Sequence, residues 1–345
     1  MCYIYPAPDS FGVTMLKQLL LFLICFPLIV HAKKSVISTS VKVEDAGPWL
    51  TGPLITPSGH VIPFGHVNYE PYIYWRTQSG SYDNHWHYHK ATPPSRHVLT
   101  QGSFQIGLLP STELDLSPQF IYKNRGGQHM WRIADFPFAL AFQILQDSKD
   151  TWWPAIKLHL GATAPIGKYD RLNPKKLGTD SGGDGYWDPR LGFITIKTYH
   201  LGGYHYFAWR MAFIYMFTVP VPVHGLSSWG GAASSPGVKG TRGTVYPGCL
   251  FSALQGFEYS ITHNWALALD IEYRHTNRNR FSGYSPKGTK PVNSSAEIFY
   301  LAPAIEYNFN ANIGIIAGPY FSVAGRNSNR TPAFLTWVFA VNVYQ

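Results

Sequence analysis

Charge is scarce in this sequence. Only 14% of its 345 residues are Asp, Glu, Lys or Arg, against about 25% in ordinary soluble domains. Long apolar runs are scarce too. Beyond residue 30 no stretch approaches the roughly 18 apolar residues of a membrane helix, which excludes a helical membrane bundle. Cysteine is nearly absent: Cys2 and Cys25 lie near the N-terminus and only Cys249 lies beyond. A lone thiol can close no internal disulfide and build no Cys-based zinc site. No nucleotide or redox motif is present, so no cofactor is expected. Aromatics stand where charges would: Trp 11, Tyr 22 and Phe 21, together 16% of the chain. The mean hydropathy is nonetheless −0.10. Few charges, many aromatics and a mildly polar average fit a β-barrel with one lipid face and one polar face.

The one long apolar run is Leu19 to Val30, preceded by Lys17 and followed by His31-Ala32-Lys33-Lys34. It contains Pro27 and is too short to span a bilayer. A basic start, an apolar centre and a small-residue end describe a secretory signal peptide cut after Ala32. Residues 1–14 do not resemble a signal, so translation is expected to start at Met15. Phe22-Leu23-Ile24 before Cys25 is too bulky for a lipoprotein cleavage box, which argues against a lipid anchor. Three regions follow: 1–32, upstream extension and signal; 33–65, an N-terminal periplasmic segment or plug; 66–345, an outer-membrane barrel.

Period-two patterning carries the barrel reading. In Trp265 to His275, Trp265, Leu267, Leu269, Ile271 and Tyr273 share one face, and Ala266, Ala268, Asp270, Glu272 and Arg274 the other. A helix would scatter these charges around its axis. Phe207 to Phe217, Phe136 to Ile144, Phe299 to Phe309 and Leu335 to Val343 repeat the pattern. Twelve antiparallel transmembrane strands are predicted, at 66–78, 96–109, 112–123, 133–146, 153–164, 187–200, 205–218, 242–261, 265–277, 294–309, 312–324 and 332–344. The connections alternate. Those at 110–111, 147–152, 201–204, 262–264 and 310–311 are short; those at 79–95, 124–132, 165–186, 219–241, 278–293 and 325–331 are longer. Bacterial barrels have short periplasmic turns, long outer loops and an even strand count, so both termini are expected in the periplasm. A secreted β-sandwich would also alternate, but it would spread its aromatics through a core rather than gather them at strand ends.

The same alternation turns Glu113, Asp115, Lys157, His159, Arg210, Glu258, Asp270, Glu272, Arg274 and Glu306 towards the lumen. Charges of both signs in a narrow barrel should pair, because an unpaired buried charge is costly. Two readings stay open: ion pairs that fill and stiffen the barrel, or a selectivity lining along a solute path.

Two segments carry a family resemblance. One is Gly52-Pro-Leu-Ile-Thr-Pro-Ser-Gly-His-Val-Ile-Pro-Phe-Gly-His-Val-Asn-Tyr-Glu-Pro-Tyr. The other is Leu158-His-Leu-Gly-Ala-Thr-Ala-Pro-Ile-Gly-Lys. With the strands at Tyr300 to Tyr307 and Ile315 to Gly325, they make residues 60–345 resemble the outer-membrane transporters of the phenol-degradation meta-pathway (MetA-like) family. The resemblance implies a twelve-strand-type pore for small, often hydrophobic solutes, and it brings no catalytic residues. The usual terminal Phe or Trp is replaced by Val343-Tyr344-Gln345, which leaves Tyr344 to serve recognition by the barrel-assembly machinery.

Other motifs are weaker. His85, His87 and His89 alternate in the first long loop and would share one face of an extended chain. With only Asp83 nearby they are read as an aromatic-rich loop at the lipid boundary rather than a metal site. Asp180-Ser-Gly-Gly-Asp-Gly lacks the spacing of a calcium hand and is read as a flexible external loop. His275 lies where some lipid-hydrolysing barrels keep a base, but position 277 is Asn and the next serine is Ser282. Nothing there fixes a triad.

The formal net charge is +9. Its basic residues cluster in the predicted outer loops, among them Lys175, Lys176, Arg278 and Arg280. That placement points to lipopolysaccharide phosphates and not to nucleic acid. Expected partners are therefore outer-membrane lipid, lipopolysaccharide, the assembly machinery and a small-molecule solute.

The leading functional expectation is a channel-like barrel for uptake of small, hydrophobic or aromatic solutes. The alternatives are a membrane-embedded lipid hydrolase using His275, or a structural or surface-binding barrel. Sequencing the N-terminus of the exported protein is expected to begin at Lys33; a chain beginning at Met1 would refute the signal reading.

Overall fold

A chain that alternates apolar and polar residues needs a sheet whose two faces meet different surroundings. The computed structural model builds one such sheet and closes it. It describes residues 49–148, 151–229, 239–286, 294–328 and 333–345, with backbone alone for 92–94. The expected signal at 1–32 and residues 33–48 of the expected N-terminal segment lie outside the described residues.

Strands follow one another along the chain. They are β1 (Val67–Tyr82), β2 (Tyr88–Leu109), β3 (Thr112–Leu116), β4 (Gln119–Arg125), β5 (Gln128–Ile133), β6 (Phe136–Leu145), β7 (Ala155–Ala164), β8 (Arg190–Gly202) and β9 (His205–Met216). Then come β10 (Val221–His224), β11 (Arg242–Tyr246), β12 (Leu250–Ser260), β13 (Trp265–Thr276), β14 (Arg280–Tyr284), β15 (Ala296–Asn310), β16 (Ile313–Arg326) and β17 (Ala333–Tyr344).

Fourteen of these strands form the main sheet, all antiparallel, and β1 pairs with both β2 and β17 to close it. β3 and β4 both pair with β2 and act as two halves of one stave. β5 and β6 likewise form one stave facing them. The barrel therefore has twelve staves (fourteen strands less two merged). The break between β3 and β4 falls at Ser117-Pro118, where proline has no N–H to give to the ladder.

Faces separate as the alternation predicts. In β13, Trp265, Leu267, Leu269 and Ile271 are exposed on the outside, while Ala266, Ala268, Asp270 and Glu272 are buried inside. Closure through β1 and the outward apolar belt are what a bilayer-spanning barrel requires. Among the described residues, no helix is long and apolar enough to cross a membrane.

Several boundaries differ from the sequence reading. The segments at 79–95 and 124–132 are not open loops. β1 and β2 stay paired up to Tyr82 and Tyr88, leaving 83–87 as a tip. β4 and β5 stay paired up to Arg125 and Gln128. Gly126 and Gly127 between them sit at φ 54 and 78, the positive pair that a tight hairpin turn demands. These hairpins rise past the apolar belt, where period-two hydrophobicity no longer marks the strand.

The predicted strand 242–261 is two elements. Only Leu250–Ser260 joins the barrel. Arg242–Tyr246 pairs with β10 and β14 in a separate three-stranded sheet at the long-loop end. That sheet packs Val221, Val223, Val245 and Trp229 against Tyr169, Tyr186 and Phe281.

The 180–185 loop, expected to be flexible, is packed inward. Asp180 and Ser181 are buried. Asp135 accepts hydrogen bonds from the N–H groups of Gly167 and Asp184. A Cβ on Gly182 or Gly183 would collide with Ile133 or Asp135, so the close approach needs glycine there.

An arginine placed at Leu269, outward in β13, is expected to destabilise the barrel by about 2–4 kcal/mol, the cost of a cation on the lipid face. Urea titration in lipid vesicles would measure it, with Leu269→Ile at the same position as the near-neutral comparison.

Candidate functional site

The inside of the barrel holds every one of the ten charged residues picked from the alternation. Seven are almost fully buried: Glu113, Lys157, Arg210, Glu258, Asp270, Glu272 and Glu306. Asp115, His159 and Arg274 are partly buried. The structure pairs many of them, within one strand, between neighbouring staves or over an intervening one. Lys157 Nζ lies 3.1 Å from Glu113 Oε1. Arg210 lies 2.8 Å from Glu258, and Arg274 2.8 Å from Glu272. His159 and Asp115 approach at 3.4 Å. Glu272 also accepts from Ser252 and, at 2.6 Å, from the Tyr320 hydroxyl.

The segment 49–65 occupies the lumen, and inward carboxylates grip its backbone. Asp270 accepts from the N–H of Ile55 at 3.1 Å and of Thr56 at 2.9 Å. Glu306 accepts from the N–H and hydroxyl of Thr51. Glu113 accepts from the N–H of Ile62 at 2.6 Å, and Gln143 from that of Val61. Asn308 donates to the Trp49 carbonyl and Lys157 to that of His60. Asp270 and Glu306 have no ion-pair cation within 4.0 Å among the described residues, so the segment's donors compensate them instead. Charge-assisted bonds of this kind contribute about 1.5–3 kcal/mol each. Glycines let the wall come close: a Cβ on Gly59 would meet the backbone of Thr195 and Ile196, and one on Gly107 that of Pro63.

Two sides of the lumen differ. Against β13, β15, β16 and β17 the interior is solid. Leu54 of the segment packs with Ile298, Tyr300, Ile316, Tyr320 and Phe334. Arg76 lies 4.1 Å over the Phe334 ring and Arg274 5.2 Å over that of Tyr300. Against β1, β2 and the end of β17 a cavity of about 380 Å³ remains between the segment and the wall. Its wall carries Asn68, Glu70, Tyr72, Tyr74, Gln105 and Asn342. The sequence reading missed these residues. The alternation of Asn68, Glu70, Tyr72 and Tyr74 with the outward Tyr69, Ile73 and Trp75 is a sufficient signal to place Glu70 inward.

The remaining motifs resolve locally. At the β1–β2 tip, Asp83 accepts from the ring of His89 at 2.9 Å and from the N–H groups of His85 and His87. These bonds, that to His89 foremost, hold its carboxyl well below the usual carboxylate range. Among the described residues, no group of three or more His, Cys, Asp or Glu is arranged to hold a metal. His275 contacts Asn277 at 3.1 Å and Glu297 at 3.6 Å. Ser282 sits in β14, paired with Thr244. No serine hydroxyl among the described residues is bonded to His275, so the structure assembles no hydrolase triad there.

No family model matches the chain, and no curated protein matches it. Among solved structures it is similar to an outer membrane channel from Pseudomonas putida F1, with 13% identity and a TM-score of 0.58, over 84% of this chain and 100% of that one. The fold is that of an outer-membrane β-barrel. A deletion mutant of the TodX monoaromatic hydrocarbon channel aligns at 12% identity and TM-score 0.37, over 82% of this chain and 91% of that one. The NanC porin aligns at 9% and 0.37, over 80% and 98%. Those two are too distant in shape to add to the assignment.

Asp270→Ala is expected to free two segment amides without opening the barrel. Hydrogen exchange at Ile55 and Thr56 should quicken by about one to two orders of magnitude, allowing for partial replacement by water. Unchanged exchange at both amides would show that the carboxylate does not hold the segment.

Proposed function

We propose that this protein is an outer-membrane channel for small solutes, with segment 49–65 as its internal plug. The observation that carries this reading is the 380 Å³ cavity left between the plug and the β1–β2 wall inside a closed barrel. A barrel serving only as a scaffold has no need of such a space, since its lumen can be filled as the β13–β17 side is. In this reading the short-turn end, where the Val67 N–H bonds to the Gln345 carbonyl, faces the periplasm. Basic loops at the opposite end then lie against lipopolysaccharide phosphates. Passage needs no energy cofactor.

The solute class rests on two supports. The sequence resemblance implies small, often hydrophobic compounds. The stacked rings of Tyr72 and Tyr74, 5.5 Å apart and 9° from parallel, give the cavity an apolar face for an aromatic or alkyl body. The plug is held by hydrogen bonds rather than covalently, so widening the path requires only that they break. The same bonds explain why the ion-paired interior and the selectivity lining are not exclusive readings: Glu113 serves both the Lys157 pair and the plug.

Planar-bilayer recording tests the proposal. The wild-type protein is expected to show small, brief conductances, and the Asp270→Ala/Glu306→Ala variant larger and longer ones. Silence in both, with the barrel shown intact by heat-modifiable migration, would reject the channel.

A further inference from the structure

One carboxylate, Glu70, lines the cavity, and hydrogen bonds from neutral groups hold it there. Glu70 Oε1 accepts from the side-chain amides of Asn68 at 2.9 Å and Asn342 at 2.8 Å, and Oε2 from the Tyr72 hydroxyl at 2.6 Å. All three donors are neutral. The other lumen acids do not line it: Glu113 pairs with Lys157, Glu258 with Arg210, Glu272 with Arg274, Asp115 lies by His159, and Asp270 and Glu306 hold backbone donors of the plug. Among the described residues, Glu70 has no cationic side chain within 4.0 Å, and it lines the cavity instead of the packed side.

Its neighbours hold it still. Asn68 also donates to Gln105 at 2.9 Å, and Asn342 to Asn68 at 3.1 Å. This amide chain ties β1, β2 and β17 together around one negative charge. Beside it stand the parallel rings of Tyr72 and Tyr74. A fixed carboxylate next to aromatic rings, between the plug and the wall, attracts a cation that also has apolar surface. Arg210, which shares the cavity lining, adds no excess positive charge because it is paired with Glu258.

We propose that Glu70, with Tyr72 and Tyr74, is a recognition site for small organic monocations, such as amines bearing an aromatic or alkyl body. The inference deepens the channel reading above and rests on it for passage, but not for binding. It narrows the solute class: the apolar body meets the tyrosines and the ammonium meets Glu70.

The test uses the mature full-length barrel in liposomes and three matched solutes: phenethylammonium, neutral 2-phenylethanol and anionic phenylacetate. Background permeation of the lipid is subtracted using protein-free vesicles. Protein-dependent uptake is expected to favour phenethylammonium over phenylacetate. Glu70→Gln, close to isosteric, should reduce the preference about tenfold, as expected for one partly screened charge at short range. Heat-modifiable migration confirms that the variant folds.

Wild-type protein without cation preference, or a preference that survives Glu70→Gln, overturns the proposal. Calorimetric titration of the detergent-solubilised protein with phenethylammonium separates the two readings. Binding that is lost in Glu70→Gln, with no protein-dependent uptake of any solute, upholds the site and rejects the channel. Absence of binding rejects the site, whatever is transported.

Discussion

In hydrocarbon, no backbone N–H or carbonyl can be left without a partner, and the rest of this structure follows from that constraint. The chain meets it by bringing its first and last strands together. β1 pairs with β17 from Asn68↔Tyr344 to Gly80↔Ala333, which closes the barrel. Once the sheet is closed, alternation has only one meaning: odd and even positions see either lipid or lumen. Apolar residues must take the outer face, so the charged residues of the spanning strands are driven inside, whatever their function. The crowding of Glu113, Lys157, Arg210, Glu258, Asp270, Glu272 and Glu306 in one interior is thus a consequence of closure. The N-terminal segment is the other half of that solution. An interior with more acids than cations must find donors elsewhere, since removing one partner of a buried pair typically costs about 3–5 kcal/mol. The amides of Thr51, Ile55, Thr56 and Ile62 supply them.

Much of this architecture was legible in the sequence. Trp265 to Thr276 announces its two faces residue by residue, because small or charged inner positions alternate with large apolar outer ones over the whole belt. The inward set was legible for the same reason. What the sequence did not disclose lies where the alternation ends or loses its meaning. Above the belt the two faces of a hairpin no longer meet lipid and lumen, so Ser79-Gly80-Ser81 reads as loop although Gly80 is paired with both β2 and β17. Arg242–Tyr246 alternates well enough to pass for the start of a barrel strand. It belongs to another sheet because Tyr246 is followed by Pro247-Gly248, where the chain turns before β12 begins. Partnerships are a second blind spot. Nothing in residues 49–65 states that their amides meet Asp270 and Glu306, more than 200 positions away. Glu70 was hidden in a third way: it is a single acid among tyrosines, and its importance comes from what is missing around it.

The asymmetry of the lumen bears directly on function. On the β13–β17 side, Tyr300, Tyr320 and Phe334 meet at ring separations of 5.1 Å and leave no room for a solute. Shifting any of them would disturb an aromatic cluster that Arg76 and Arg274 cover. On the β1–β2 side the wall is made of amides, hydroxyls and one carboxylate, whose hydrogen bonds run along the wall rather than across the space. A path that widened there would cost contacts only on the plug. The wall ahead of the solute would keep its shape, and with it the fixed position of Glu70. A recognition site on the rigid side of a cavity and a movable element on the other is the arrangement that lets selectivity survive opening. Were Glu70 carried on the plug instead, every opening step would disperse the charge that chooses the solute.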